Sequence, residues 1–75
     1  MSDTPGPWQL DRKIKRHRQR LANLTAEIVF YGGMTYRWTI IDYDETTIER
    51  GAAPGLHLAK RAATAALIRH ATPPF

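Results

Sequence analysis

Cysteine is absent from this 75-residue chain. No disulfide can therefore staple the fold, and no thiolate is on hand as nucleophile or metal ligand, which fits a reducing compartment such as the cytoplasm. Long apolar runs are missing too: none approaches the roughly 20 residues of a membrane span. Charge follows directly after Leu10, where a signal peptide would hold an apolar centre. No membrane partner is expected. Histidine is scarce, with His17, His57 and His70 scattered along the chain. His57 and His70 would lie about 220° apart around one helix, and a structural zinc site needs four nitrogen or sulfur ligands. Asp42, Asp44 and Glu45 lack the glycine and the distal glutamate of a calcium loop, so they read as a structural turn. Gly32-Gly33 is followed by a strand pattern and not by a helix, so it too is a turn and not a phosphate loop. The residues offer no metal site, no cofactor site and no catalytic constellation, and the expectation is a protein that is not an enzyme.

Acidic residues are missing from one stretch in particular. Arg12, Lys13, Lys15, Arg16, Arg18 and Arg20 are six of the eleven Lys and Arg residues, and no Asp or Glu interrupts them. Beyond residue 20, five basic side chains balance five acidic ones, so the formal charge of +4 is a local feature on a neutral body. Segregation of this kind points to a polyanion or an acidic protein surface as partner. A merely solvated helix face mixes signs for i,i+4 support, whereas Arg12–Arg16 and Arg16–Arg20 would repel at that spacing. A bound polyanion would offset the repulsion.

Leu10, Ile14, Leu21 and Leu24 fall in one stripe about 80° wide at helical periodicity, with His17 inside it and all six basic residues outside. With Pro7 near its start and Asn23 as a stop, the spacing predicts an amphipathic basic helix over about 7–22. The competing reading is a disordered basic arm that orders on a partner.

The period then changes to two. Ala26, Ile28 and Phe30 alternate with Glu27, Val29 and Tyr31, and after Gly32-Gly33, Tyr36, Trp38 and Ile40 alternate with Arg37, Thr39 and Ile41. This predicts a hairpin, a second turn at 42–45 and a short third strand at 46–50, a meander spanning about 24–50. Its core face would carry Ile28, Phe30, Tyr36, Trp38, Ile40 and Ile48. Its other face carries Glu27, Arg37 and Thr39, solvated or used in binding. Residues 51–55 read as a small-residue loop. A helix follows over about 55–70, its broad apolar face made by Leu56, Leu58, Ala59, Ala62, Ala63, Ala66 and Leu67, and Pro73-Pro74 cannot extend it. The expected fold is α+β in the order α-β-β-β-α, one domain over 7–71 between a flexible leader (1–6) and a short tail (72–75). A hydrophobic fraction of 43% is ordinary for a globular domain. So short a chain buries a modest core, which a homodimer would enlarge.

That order in about 70 residues resembles the double-stranded-RNA-binding domain. The family carries a Lys-Lys-x-Ala-Lys-x-Ala-Ala pattern followed by Ala-Leu. Here Ala59, Lys60, Ala62, Ala63, Ala66 and Leu67 match, while Leu56 and His57 stand in place of the leading lysines. The family's longer first hairpin loop is reduced to Gly32-Gly33-Met34. The resemblance implies that Lys60 contacts phosphate across the major groove, with Arg61 beside it in a second patch, and that RNA is read by shape and phosphate. More loosely, the chain is similar to short accessory proteins of bacteriophages, including anti-CRISPR proteins, some of which occupy a host protein's surface. That resemblance implies an inhibitor or adaptor in the host cytoplasm, docking an acidic host protein through its basic segment, with Trp8, Tyr31 or Tyr43 as aromatic anchors. The leading expectation is a nucleic-acid-binding module, for DNA or RNA, with little sequence specificity. Arg12, Lys13, Lys15, Arg16, Arg18 and Arg20 would neutralise phosphates, with Lys60 and Arg61 as the second patch.

Overall fold

A computed structural model describes residues 6–13 and 15–71. The chain forms five strands and one helix: β1 (Gln9–Asp11), β2 (Arg16–Leu21), β3 (Leu24–Gly32), β4 (Thr35–Ile41), β5 (Thr47–Pro54) and α1 (Leu56–Ala71). The strands pair in chain order as a single antiparallel meander. The helix packs along one face of it and the other face is open.

Alternation along the strands decides which side chains meet the helix. Leu24, Ala26 and Ile28 of β3, Trp38 and Ile40 of β4, and Leu21 of β2 form the sheet's half of the core. Ala59, Ala63, Ala66 and Leu67 form the helix's half. Full burial of Ile28, Ile40 and Leu67 contributes about 1.5–3 kcal/mol each. The alanines let α1 approach the sheet closely, and the Trp38 indole fills the remaining space by lying across Gly51. The buried polar groups are also satisfied. Gln19 donates from Nε2 to the Gly6 carbonyl at 2.8 Å and accepts at Oε1 from the Thr64 hydroxyl at 2.6 Å. Gly55, at φ 93°, caps the helix by accepting from the Ala59 amide at 3.1 Å. No carboxylate lies in the first turn of α1, and Arg69 and His70 lie in the last, where positive charge suits the helix dipole.

The two glycines at the β3–β4 turn adopt positive φ, 121° at Gly32 and 58° at Gly33, as the hairpin reading expects. The 42–45 turn is held by its own side chains: Asp42 Oδ1 accepts from the amides of Asp44 and Thr46 at 3.1 and 3.0 Å.

The expected α-β-β-β-α arrangement is overturned at its N-terminal end. There is no basic helix over 7–22: the described residues there form the β1–β2 hairpin, and the order is β-β-β-β-β-α. Ile14, one member of the apolar stripe, lies outside the described residues. The strand wins because it moves the open edge of the sheet from the 9-residue β3 to the 3-residue β1, and a short edge is less prone to unwanted pairing. The strand also draws Arg16 away from Arg12 and Arg20 and sets it on one face with Arg18, where the two share Glu27. Three smaller corrections follow the same logic. The third strand of the expected meander extends through the supposed loop to Pro54, because small residues at 51–53 let it run beneath Trp38. Leu58 is exposed on α1, and Phe30 and Ile48 are exposed on the sheet. Residues 1–5 of the expected leader and the tail 72–75 lie outside the described residues, while Gly6 is bonded into the sheet by its amide to the Arg20 carbonyl at 2.9 Å.

Candidate nucleic-acid interface

β2 reads Arg16-His17-Arg18-Gln19-Arg20-Leu21. Period two sends His17, Gln19 and Leu21 toward the helix and Arg16, Arg18 and Arg20 to the open face, the Cα atoms of successive arginines about 6.6 Å apart. Register with β3 sets Arg18 opposite Glu27 and Arg16 opposite Val29. Glu27 is buried at 7% exposure and is held by two arginines of the neighbouring strand β2. Arg16 Nη1 donates to its Oε1 at 3.0 Å, and Arg18 Nε donates to Oε2 at 2.7 Å, with Arg18 Nη2 2.5 Å from the same oxygen as an ion pair. One carboxylate thus orients two guanidinium groups, whose side chains stay 43% and 37% exposed.

The same face continues across β4 and β5. Val29 faces Arg37 and Glu27 faces Thr39; Thr39 in turn faces Arg50. The Arg37 guanidinium stacks over the Tyr31 ring at 4.3 Å from its centroid, a geometry that holds a cation without neutralising it. The floor between the arginines is made of Thr25, Thr39, Val29 and Ile41, and it is uncharged. Five guanidinium groups from three strands therefore share one sheet face with one central carboxylate, Glu27, among the described residues; Asp42 and Glu45 stand at its margin beside Arg18 and Arg20.

The residues of the basic run separate into two groups. Arg16, Arg18 and Arg20 lie on the open face. Arg12, Lys13 and Lys15 are exposed at the β1–β2 turn, where Asp11 Oδ1 accepts from the Lys13 amide at 3.1 Å and Lys15 adopts φ 55°. Lys60 and Arg61 are not brought to this face. Lys60 is half-buried on the far side of the sheet, 6.0 Å from the Trp8 ring centroid, and Arg61 points outward from α1 into solvent. Arg37 and Arg50 are the arginines that the sequence reading did not join to the run. Their position was signalled by the alternation of β4 and β5, but the run itself was assigned to a helix, so the three strands were not combined.

The imidazoles lie elsewhere. Burial, and then the nearby Lys60 ammonium, hold the His17 pKa below its ordinary value. His70 Nε2 is 2.6 Å from Glu49 Oε1, and Arg69 donates to both oxygens of the same carboxylate at 2.6 and 2.7 Å. These contacts, from Arg69 first and His70 second, hold the Glu49 pKa down and tie the end of α1 to β5. Among the described residues no group of three or more His, Asp or Glu is placed to hold a metal ion, and no helix is long and apolar enough to cross a membrane. No family model, curated protein or solved structure matches this chain.

Proposed function

We propose that this protein is a non-enzymatic nucleic-acid-binding module that lays its open sheet face, extended by the basic β1–β2 turn, against the phosphates of a DNA or RNA duplex, with little sequence specificity. One observation carries the reading: Arg16, Arg18, Arg20, Arg37 and Arg50 converge from three strands onto one face whose one central carboxylate, Glu27, is already shared by two of them. Arginine suits the task because its planar fork engages phosphate oxygens in pairs and is weakly hydrated. Glu27 and Tyr31 hold three of the five side chains in place, which lowers the entropy lost on binding. Phosphate contacts position a protein without reading bases, and the floor of Thr and aliphatic residues offers few groups to read them.

Fluorescence anisotropy of labelled duplex DNA and duplex RNA tests the reading. Five phosphate contacts predict roughly a 500-fold loss of affinity between about 50 and 200 mM salt. The double variant Arg37→Gln/Arg50→Gln should weaken binding to all sequences alike and reduce the salt slope by about 2. The preferred duplex decides between DNA and RNA. Absence of binding at low salt overturns the reading and assigns the cationic face to an acidic protein surface, to be sought by pull-down.

A further inference from the structure

At the end of the sheet where β3 turns into β4, the helix-side face is not covered. Phe30 and Tyr36 are cross-strand partners there, with ring centroids 5.2 Å apart and planes tilted by 57°. Phe30 is 56% exposed and Leu10, on the neighbouring strands, is 50% exposed. Together with His17, Arg12 and Lys15 they line an open hollow of about 450 Å³, within the size range of small-ligand sites (about 300–1,000 Å³). No residue of α1 and no carboxylate belongs to its lining.

The composition of this hollow is specific. Its walls are aromatic and aliphatic, its rim carries two cations, and its one imidazole is biased toward the neutral form by burial and by Lys60. A solvated surface would not leave the Phe30 ring more than half exposed in its wall, and a surface for neutral apolar partners would not line it with Arg12 and Lys15. A flat aromatic group that carries its own negative charge satisfies both parts. We propose that the hollow is a stacking site for one unpaired nucleobase, which lies on Phe30 between Leu10 and Tyr36 while its flanking phosphate is held by Arg12 and Lys15. The β1–β2 turn borders both the hollow and the open face, so a strand that leaves a duplex on the sheet can round the turn and place its first unpaired base on Phe30. The inference rests on the nucleic-acid reading above and adds to it a preference for duplex ends, tails or bulges over blunt duplex. Stacking on an aromatic side chain is tolerant of base identity, in keeping with weak sequence preference.

The test compares a blunt duplex with the same duplex bearing a short unpaired tail that contains 2-aminopurine. The tail should raise affinity about tenfold and its fluorescence should be quenched on binding. Phe30→Leu keeps an apolar side chain at an exposed position but removes the ring face. It should abolish both the gain and the quenching while leaving blunt-duplex affinity unchanged, which also reports that the variant is folded. If the tail gives no gain, or if Phe30→Leu retains it, the stacking site is wrong while the sheet-face reading stands on the blunt duplex. If neither probe binds at low salt, both are overturned.

Discussion

Gly51 sits where β5 passes beneath the Trp38 indole, and a Cβ there would come within 2.5 Å of the ring's Cζ2. Neither group can move away, since Trp38 is held in the core and Gly51 lies within a paired strand. Gly51→Ala should therefore destabilise the fold by about 1–3 kcal/mol, measured by urea unfolding. Ala22 presents the opposite case. It adopts φ 57° in the β2–β3 turn, a conformation in which a side chain is strained by about 1–2 kcal/mol and glycine is not. Ala22→Gly should raise stability by up to about 1 kcal/mol after the added chain entropy is subtracted. His17 makes stability depend on pH. Its folded-state pKa lies below the ordinary 6.5, so in the unfolded chain it takes up a proton at a higher pH than in the native state. The contribution is complete above about pH 7 and is lost as pH falls through 6.5 toward the folded value. Thermal midpoints recorded from pH 7.5 to 5 should fall for the natural chain and fall less for His17→Gln.

Elements differ in how much of their structure can be read locally. The β3–β4 hairpin and α1 were legible because their information is contained in the segment: alternation around Gly32-Gly33, and alanines at helical spacing. β2 was not. Its inward residues are His17, Gln19 and Leu21, of which only the last is apolar, so the alternation carried no hydrophobic signal while a chance helical stripe did. What makes Gln19 an interior residue is a hydrogen bond from Thr64, 45 positions away, and what makes Arg16 and Arg18 cross-strand partners is Glu27, 11 and 9 positions away. Strand β5 was truncated for a related reason, since Gly51, Ala52 and Ala53 look like a loop until Trp38 is set over them. The β2–β3 pairing yields its own prediction. Glu27→Gln removes the charge that both arginines share, and should cost about 1–3 kcal/mol of stability. It should also strengthen duplex binding by about 1 kcal/mol, about fivefold, at low salt, because the amide oxygen still accepts from the arginines and keeps them placed while the competing charge is gone. A scaffold role for Glu27 alone predicts the first effect without the second.

At the scale of the whole molecule, the sheet sorts charge by face. Arginines from β2, β4 and β5 occupy the open side, while Lys60 and Arg61 belong to the helix side and its outer surface. The segregated charge of the N-terminal segment was visible in the sequence, and Arg16, Arg18 and Arg20 of that run lie on the open face. The grouping with Arg37 and Arg50 needed the fold, because they join the cluster only when β2 is a strand in register with β3, β4 and β5. Net charge alone would attract a polyanion to any basic surface, whereas a bound duplex, as proposed, meets the open sheet face and the β1–β2 turn and leaves the outer surface of α1 free. The measurement that separates the two compares Arg50→Glu with Arg61→Glu. Both residues are exposed and both substitutions change net charge by the same amount. Duplex affinity at about 50 mM salt should fall about tenfold or more for Arg50→Glu, and change less than about threefold for Arg61→Glu, whose charge lies across the sheet and is screened. Equal losses in the two variants, or a larger loss for Arg61→Glu, would contradict the assignment of the sheet face as the binding surface.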